Sequence, residues 1–336
     1  GPHAVRLRVP REGRLAWQDL VFGPSGQDAR EIGDMVIQRS DGSPLYHLAV
    51  VVDDVDLGIT HVIRGADHLN NTPFQLALYA ALDAPLPQIA HVPLIVGADG
   101  RKLSKRRDPV SVQHFREQGY LPEALCNWLV GIGWSHGDQE LFSIEEIRAL
   151  FGLEAVHRSP GHADLQKLDW VNQSWIKQLP GERLVAELRP FLEAASGAPI
   201  AVEEGLGALV DLLRERSKTL AEMAERARFF ALADDALGHD PKAVQKHWKP
   251  ALRAPLAELR EALAGVARWE PAAIGAAFEA VRARHEGLGV GPLAQAVRVA
   301  VTGSAASPGI YETLAVLGPD RTSRRLERAL AQWPAG

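Results

Sequence analysis

The sequence is poor in cysteine, in long apolar runs and in excess positive charge. Cys126 is the only cysteine among 336 residues, so disulfides and a thiolate zinc site within the chain are excluded. The longest apolar stretches, such as 48–52 and 125–132, are far shorter than the ~20 residues needed to cross a bilayer. No signal peptide opens the chain, and we therefore expect a cytoplasmic protein without a membrane partner. A formal net charge of −5 argues against a wholly basic nucleic-acid binder, although local basic patches remain compatible with RNA binding.

Residues 1–100 have the pattern of strands that alternate with helices. Short alternating runs bounded by turn residues predict small antiparallel strands within residues 1–35. Between residues 35 and 100, a helical stretch covers Pro73 to Leu82, and several β-branched runs predict strands. These runs are Met35 to Gln38, Val50 to Val52, His61 to Ile63 and Leu94 to Val96. Because strands alternate with helices, the region is predicted to form a parallel α/β sheet.

The chain changes character near residue 109. From there to the end, β-branched runs almost vanish, and Ala, Leu, Glu and Arg recur at helical spacing, as in 206–220 and 255–266. Ser143 and Glu146 form a capping-box pattern at the start of one predicted helix. The second half is therefore predicted to be all-α, with the main domain boundary near Pro180. A chain of this length is expected to contain two or three domains.

A cluster of cations follows the apolar run Leu94 to Val96. The turn 97–101 leads directly to four of them, which are Lys102, Lys105, Arg106 and Arg107. Cations this close together repel each other unless an anion compensates them, and they are suited to clamp phosphate oxygens. A solvated basic turn explains the same composition, and composition alone favours that second interpretation.

The order of residues 102–106, Lys-Leu-Ser-Lys-Arg, resembles the Lys-Met-Ser-Lys-Ser-type signature of class I aminoacyl-tRNA synthetases. It is similar to the variant common among glutamyl-tRNA synthetases, and further segments in that family's order extend the resemblance along essentially the whole chain. These segments are 39–47, 52–54, 63–69, 91–95, 111–112, 119–125, 133–138, 167–172, 300–303 and 307–308. These segments together make the chain resemble the bacterial glutamyl-tRNA synthetases.

The resemblance implies an α/β region followed by an all-α region. Residues 1–35 would be the end of a connecting insertion, and residues 36–100 the second half of a Rossmann-like nucleotide-binding fold. Residues 101–180 would carry the lysine loop and a helical stem-contact domain, and residues 181–336 an all-α anticodon-binding cage. An all-α C-terminal half favours the glutamyl enzymes over the glutaminyl ones, whose anticodon portion resembles β-barrels.

The resemblance also implies a reaction and its site. Glutamate attacks the α-phosphate of ATP, which binds together with Mg²⁺, and the glutamyl group then passes to the 3′ end of tRNA(Glu). Arg64 and Tyr46 match glutamate-binding residues of the family. Lys105, assisted by Lys102, matches the residue that stabilises charge on the phosphates. The implied ATP-binding residues are Lys105, Asp67, Leu94 and Ile95, the last two through their backbone.

Other interpretations of some of these residues stay open. Without the family, Arg64 is more simply interpreted as the partner of Asp67 or Asp53 in a structural ion pair. His68 and His91 lack carboxylate or cysteine neighbours at ligand spacing, so we expect structural roles and assign no metal to them. We therefore expect no zinc in this chain.

The helical half contains candidate tRNA contacts. Arg214, Arg216 and Lys218 follow one another in one helical stretch, and Arg298 lies nearer the end of the chain. Basic groups on helices can contact phosphates and unstacked anticodon bases, although most such residues belong to a solvated helix face. We expect a monomer that binds L-glutamate, ATP and tRNA(Glu).

One motif of class I synthetases is missing, because no His-Ile-Gly-His-type sequence occurs in the chain. In the family this motif belongs to the first β-α units, which we expect to lie before residue 1, so this fragment alone should not complete adenylate formation. Two interpretations follow: part of a glutamate-tRNA ligase, or a non-catalytic tRNA-binding remnant of a synthetase. We favour the ligase, because Tyr46, Arg64, Asp67 and Lys105 all match the enzyme pattern.

Overall fold

The computed structural model describes residues 2–97, 99–103, 110–197, 199–200 and 205–334. The chain separates into two units, each with dense internal contacts. The first unit contains Gly1–Ser111 and Leu125–Leu168, and the second contains Val112–Ala124 and Asp169–Gly336. Within the described ranges, each helix is too short or too polar to pass through a membrane.

Strands dominate before residue 100 and helices dominate after residue 110. The strands are β1 (Val5–Arg6), β2 (Arg14–Asp19), β3 (Gly23–Asp28), β4 (Val36–Gln38), β5 (His61–Gly65), β6 (Gln88–Val92), β7 (Ile95–Val96) and β8 (Gly161–His162). The helices are α1 (Tyr46–Asp56), α2 (Thr72–Ala81), α3 (Val112–Glu117), α4 (Pro122–Gly133), α5 (Ile144–Leu150), α6 (Leu165–Gln178), α7 (Gly181–Ser196), α8 (Leu206–Arg214), α9 (Leu220–Ala231), α10 (Pro241–His247), α11 (Arg253–Ala264), α12 (Pro271–Arg282), α13 (Val290–Thr302), α14 (Ile310–Leu317) and α15 (Pro319–Ala331).

The main sheet of the first unit has the strand order β3-β2-β6-β5. β2 and β3 form an antiparallel hairpin, whereas β6 runs parallel to both β2 and β5. β1 pairs with β4 in an antiparallel ribbon, and β7 pairs with β8 in a parallel one. The predicted α/β sheet is therefore present, with an antiparallel hairpin at one edge. Strands β2, β5 and β6 end at the same side of the sheet because they are parallel.

The prediction of a strand at Val50 to Val52 is wrong, because these residues lie in helix α1. Val51 is buried in the core of the first unit together with Phe74 of α2. Leu48 and Val55 also pack against this core, so they share with Val51 the spacing of three and four residues that defines one helix face. Packing of this face outweighs the strand preference of three consecutive valines.

The second unit is helical in all the parts that the structure describes. α9 packs against α7 and α8, and α11 packs against α12 and α15. Leu256, Leu259 and Leu263 lie three and four residues apart on α11, and all three are buried in the main core of this unit. The prediction of an all-α C-terminal half is confirmed.

Candidate active site

Arg64 and His91 lie side by side near the carboxyl ends of two parallel strands. Arg64 belongs to β5 and His91 to β6, and the two residues are partners in the strand register. Register partners on adjacent strands project their side chains from the same face of a sheet. Ligands of open α/β sheets bind in the crevice outside these strand ends. This edge of the sheet is therefore a candidate substrate site.

Asp19, the last residue of β2, forms a fully buried pair with His91. Asp19 Oδ2 and His91 Nδ1 are 2.6 Å apart, and both side chains are 0% exposed. The other carboxylate oxygen, Oδ1, accepts hydrogen bonds from the backbone N–H groups of Val21, Phe22 and His91 at 3.0, 3.0 and 3.2 Å. Burial by itself would raise the pKa of Asp19, but these hydrogen bonds outweigh it and lower the pKa. Asp19 is therefore ionised at neutral pH.

His91 connects this carboxylate to Arg64. Arg64 Nε donates a hydrogen bond to His91 Nε2 at 3.2 Å. Since a guanidinium has only donors, His91 Nε2 must be unprotonated, and the imidazole proton sits on Nδ1 and is donated to Asp19. Burial lowers the pKa of His91 and outweighs the opposing effect of Asp19. His91 is therefore a neutral group between a carboxylate and a guanidinium.

Thr72, the first residue of α2, supplies a second neutral contact to Arg64. Its Oγ1 atom accepts a hydrogen bond from Arg64 Nη2 at 2.8 Å and lies 3.2 Å from His91 Nε2. The Thr72 side chain is fully buried. Burial lowers the pKa of Arg64, yet a guanidinium keeps its charge at neutral pH. Arg64 is thus held on two of its nitrogen atoms while its charge is retained.

Tyr46, the other predicted glutamate-binding residue, begins helix α1 and is 52% exposed. Its ring contacts that of His47 edge-on, with 5.2 Å between ring centroids, and lies 6.3 Å from the ring of His68. Tyr46 and Asp54 oppose the effect of burial on the pKa of Arg64, since both favour the charged guanidinium. Tyr46 and Arg64, which the sequence predicts to act together, therefore lie near each other.

Asp67 does not pair with Arg64. It lies in the short 3₁₀ helix Ala66–Asn71 after β5, where its Oδ2 atom is 2.5 Å from Lys102 Nζ. This hydrogen bond holds the pKa of Asp67 below its usual value. The sequence predicts that both residues handle ATP, and the structure brings them together in a partly exposed ion pair. Lys105, the predicted catalytic lysine, lies outside the described residues.

Leu94 and Ile95, whose backbone is predicted to meet the adenine, lie at the start of the β7–β8 ribbon. The Leu94 carbonyl accepts a hydrogen bond from Gly161 N at 3.0 Å, and Ile95 pairs with Gly161 in the ribbon. Both residues line a mostly apolar cavity of about 270 Å³ that also contains Trp134 and Phe151. The predicted adenine-contact segment therefore borders an apolar cavity, which suits a flat aromatic base.

Arg214, one of four predicted tRNA contacts, is largely engaged inside the second unit. Its Nη1 atom donates to the carbonyls of Lys177 and Leu179 at the end of α6, at 3.2 and 3.1 Å. Its Nη2 atom is 2.6 Å from Asp211, and the side chain is only 17% exposed. These contacts favour a role in fixing the end of α6.

Of the other three predicted tRNA contacts, Arg216 and Lys218 are exposed and Arg298 is partly buried. Arg216 is exposed and lines a cavity of about 810 Å³ within the second unit. Arg298 Nε donates to Ser307 Oγ at 2.8 Å, and Ser307 lines the same cavity. Burial, together with the nearby charge of Arg216, lowers the pKa of Arg298. Lys218 is exposed and its Nζ atom is 3.2 Å from Asp169.

The sequence analysis named neither Asp19 nor Thr72, and it predicted only a structural role for His91. His91 was recognisable only as a histidine in an apolar segment between two prolines, and Asp19 lies 72 positions away from it in the chain. The only signal in the sequence was that each is a polar residue next to strand-like apolar residues. Among the described residues, no cluster of three or more His, Cys, Asp or Glu side chains is arranged to hold a metal ion.

Two family models match the chain. The model described as "tRNA synthetases class I (E and Q), catalytic domain" matches residues 1–170, and the one described as "Anticodon binding domain" matches residues 183–330. Together these matches cover both halves of the molecule.

Individual proteins show the same similarity. A glutamate-tRNA ligase from Citrifermentans bemidjiense is 44% identical over 331 residues, which are 98% of this chain and 70% of that protein. The crystal structure of a glutamate tRNA ligase from Elizabethkingia meningosepticum, in complex with its amino acid, superimposes with a TM-score of 0.84 at 27% identity. That match covers 99% of this chain and 69% of the other. The glutamate-tRNA synthetase of Elizabethkingia anophelis gives a TM-score of 0.78 at 27% identity, over 98% and 68% of the two chains.

Proposed function

Because the chain belongs to the glutamate-tRNA ligase family of class I aminoacyl-tRNA synthetases, we propose that Arg64 and Tyr46 bind its glutamate substrate. The family attaches glutamate to tRNA, and a ligase of this class uses ATP to activate the amino acid before the transfer. A site for the acidic side chain of glutamate must present a fixed positive charge.

The observation that carries the proposal is the way in which Arg64 is held. Its hydrogen bonds go to His91, Thr72 and Tyr46, and none of these partners is a carboxylate. A half-buried guanidinium that is fixed by neutral groups keeps its charge for a ligand, and its planar fork matches the two oxygens of a carboxylate. The contacts at Nε and Nη2 fix the plane of this fork.

Tyr46 fits the role of a second contact to glutamate. It is the exposed first residue of α1, and its phenol lies close enough to Arg64 to favour the charged guanidinium. A phenolic hydroxyl can donate one hydrogen bond and accept another, so it can orient the substrate without adding charge.

We assign ATP to the neighbouring residues on the Asp67 side of the site. Asp67 would contact the ribose, and the backbone of Leu94 and Ile95 would contact the adenine beside the apolar cavity. Lys105 and Lys102 would stabilise negative charge on the phosphates, which bind as the magnesium complex. The 2.5 Å pair between Lys102 and Asp67 supports a shared nucleotide site, since it brings two of the assigned side chains together.

The second unit would bind tRNA. The anticodon-binding family model covers residues 183–330, Arg216 lines the cavity of about 810 Å³ in this unit, and Arg298 hydrogen-bonds to Ser307 at the cavity lining. Two arginines near a cavity of this size suit the phosphates and bases of an unstacked loop. Lys218 is exposed and can add a phosphate contact, whereas the buried contacts of Arg214 make it the weakest of the four candidates.

The finer domain division remains part of the proposal. Residues 1–35 would belong to a connecting insertion, 36–100 to the nucleotide-binding fold, 101–180 to the lysine loop and stem-contact helices, and 181–336 to the anticodon-binding region. The end of one family match at residue 170 and the start of the other at residue 183 support a boundary near residue 180.

The experiment that tests the glutamate assignment replaces Arg64 in the intact protein. Arg64→Lys keeps the charge but loses the planar fork, and Arg64→Gln loses both. Losing one partner of a buried charge pair costs about 2–5 kcal/mol, so Arg64→Gln should raise the KM for glutamate by roughly 30-fold or more. The KM for ATP should change little. The measurement is the initial rate of tRNA glutamylation as a function of glutamate and ATP concentration.

Arg30→Gln is the matched control, because Arg30 is also in the first unit but forms an exposed pair with Asp28. It should leave all kinetic constants unchanged. An unchanged glutamate KM in Arg64→Gln would refute the assignment. A protein that binds tRNA but not glutamate would instead fit the alternative of a non-catalytic remnant.

A further inference from the structure

We propose that the buried Asp19–His91 pair is a positioning device that sets the orientation of Arg64 and, through it, the preference for glutamate over an uncharged amino acid. This inference rests on the proposed role of Arg64. It assigns functions to two residues that would not touch the substrate themselves.

The hydrogen bonds that join Asp19, His91 and Arg64 all run in one direction. The Arg64 Nε–H group points at His91 Nε2 over 3.2 Å, so this contact is attractive only when Nε2 carries no proton. The 2.6 Å contact between His91 Nδ1 and Asp19 Oδ2 fixes the proton on the opposite nitrogen. Asp19 therefore selects the only tautomer of His91 that can accept from Arg64.

The Asp19 carboxylate is also rigidly held. Asp19 Oδ1 accepts three backbone N–H groups, two from the turn after β2 and one from His91 itself. The carboxylate is thus fixed to the ends of both β2 and β6, and it cannot rotate without losing these bonds. A group that is held in this way can transmit its position to Arg64, which lies beside His91 in the strand register.

Both side chains of the pair are completely buried, and a buried carboxylate costs free energy unless hydrogen bonds compensate it. Packing alone therefore does not explain why an aspartate and a histidine occupy this position. The orientation of Arg64 does explain it, because an apolar residue at position 91 could not accept a hydrogen bond from Nε.

Asp19→Asn is the most informative variant. An asparagine can still accept the backbone N–H groups through Oδ1, but its amide group then faces His91 Nδ1 as a donor. His91 would shift its proton to Nε2, and two N–H groups would then oppose each other across the contact with Arg64. In catalytic triads, the same exchange stabilises the wrong histidine tautomer while the geometry is retained.

Asp34→Asn is the matched control. Asp34 also lies in the first unit, accepts a backbone N–H from Val9 at 3.0 Å and pairs with Arg11 at 2.6 Å, but it contacts none of the site residues. Both variants are made in the intact protein. Glutamylation kinetics, the kcat/KM ratio for glutamate against glutamine, and the midpoint of thermal unfolding are measured for each.

We expect Asp19→Asn to raise the KM for glutamate by about tenfold or more, as is typical when a group that orients a ligand-binding residue is changed. The kcat should fall less than kcat/KM, and the KM for ATP should stay constant. The ratio of kcat/KM for glutamate to that for glutamine should fall. A displaced guanidinium weakens the binding of the charged glutamate side chain more than that of the neutral glutamine side chain. Asp34→Asn should leave the ratio and both KM values unchanged.

A pair of variants at His91 provides a second test that does not depend on Asp19. Glutamine offers an amide donor and an acceptor with spacing similar to the imidazole nitrogens, whereas phenylalanine offers neither. His91→Gln should therefore retain more glutamate affinity than His91→Phe. Equal losses in the two variants would contradict a positioning role.

The outcomes separate this inference from the assignment of Arg64. A normal glutamate KM in both Arg64→Gln and Asp19→Asn refutes the assignment of Arg64, and the inference falls with it. An impaired Arg64→Gln with a normal Asp19→Asn refutes only the inference. A uniform loss for glutamate and glutamine in Asp19→Asn, together with a lower unfolding midpoint than in Asp34→Asn, shows a purely structural role and also overturns it.

Discussion

Asp234 and Asp19 are two partly or fully buried carboxylates that are linked to arginines in different ways. Asp234 in the second unit accepts hydrogen bonds directly from Arg321, Arg324 and Arg325, at 3.4, 2.7 and 2.7 Å. Asp19 in the first unit reaches Arg64 only through the neutral ring of His91. In the first arrangement the charges neutralise each other within the fold, and in the second the arginine contacts only neutral groups, as our proposal of a glutamate-binding residue requires.

The arginines around Asp234 also satisfy the protein backbone. The completely buried Arg325 donates to the carbonyls of Val301 and Leu232 at 2.6 and 3.0 Å, and Arg328 donates to the carbonyl of Leu237 at 2.8 Å. These contacts tie α15 to the segment after α9. The arginine-rich helix α15 is therefore part of the scaffold of this unit.

The largest effect should come from removing the carboxylate that touches arginine directly. Asp234→Ala leaves Arg325 charged and buried without its partner, which should lower the free energy of unfolding by about 3–5 kcal/mol. The KM for glutamate should not change. Denaturant unfolding of the purified variant measures the first quantity and glutamylation kinetics the second.

The matched control is Asp235→Ala, because Asp235 is the exposed neighbour of Asp234. Its unfolding free energy should stay within about 0.5 kcal/mol of the original protein. If Asp234→Ala were as stable as this control, the distinction between the two arrangements would be lost.

An intermediate effect is expected at Thr72, which belongs to the neutral surroundings of Arg64. Thr72→Val keeps the shape but removes the acceptor for Arg64 Nη2, and an unmade buried hydrogen bond costs about 1–3 kcal/mol. The KM for glutamate should rise by roughly tenfold if the loss appears in binding. Glutamylation kinetics and denaturant unfolding of the same variant show whether the loss falls on binding or on stability.

Thr322→Val provides the comparison for Thr72→Val. Thr322 is equally buried, but its hydroxyl oxygen has no hydrogen-bond partner among the described residues. This variant should have the original stability or a slightly higher one, together with an unchanged glutamate KM. Equal behaviour of the two threonine variants would show that the Thr72 hydroxyl does not hold Arg64.

The smallest effect on stability is expected for the exposed ion pair between Asp67 and Lys102. Pairs at the surface are screened by water, so Asp67→Asn should change the unfolding free energy by no more than about 0.5 kcal/mol. The KM for ATP should nevertheless rise, because Asp67 is assigned to the ribose. Asp28→Asn, which breaks another exposed pair in the first unit, should change neither quantity. A normal ATP KM in Asp67→Asn would remove Asp67 from the nucleotide site.

Parts of the fold followed directly from local patterns in the sequence. Helix α2 was predicted within one residue at each end, because Thr72 and Pro73 begin it and apolar residues continue it. The Ser143–Glu146 capping box is present at the start of α5. The valines of α1 were misassigned because their burial on one helix face depends on residues far away in the chain.

Only those residues of the candidate site that lie in a recognisable motif could be predicted from the sequence. Tyr46, Arg64, Asp67 and Lys102 lie in segments that resemble a family, so the sequence identified them as candidates. Strand β6 was missed because its apolar run is short and is bounded by Pro87 and Pro93, which usually mark loops.

The sequence by itself determined the order of an α/β region and an all-α region, since hydrophobic spacing and motifs are local properties of the chain. Only the tertiary structure decided which charges are neutralised and which remain available. Asp19, Arg64 and His91 are far apart in sequence, and parallel pairing of β2, β5 and β6 brings them into contact. Arg64, the candidate substrate-binding arginine, differs from Arg325, which belongs to the scaffold, in its hydrogen-bond partners and in its burial. No local sequence pattern encodes either property.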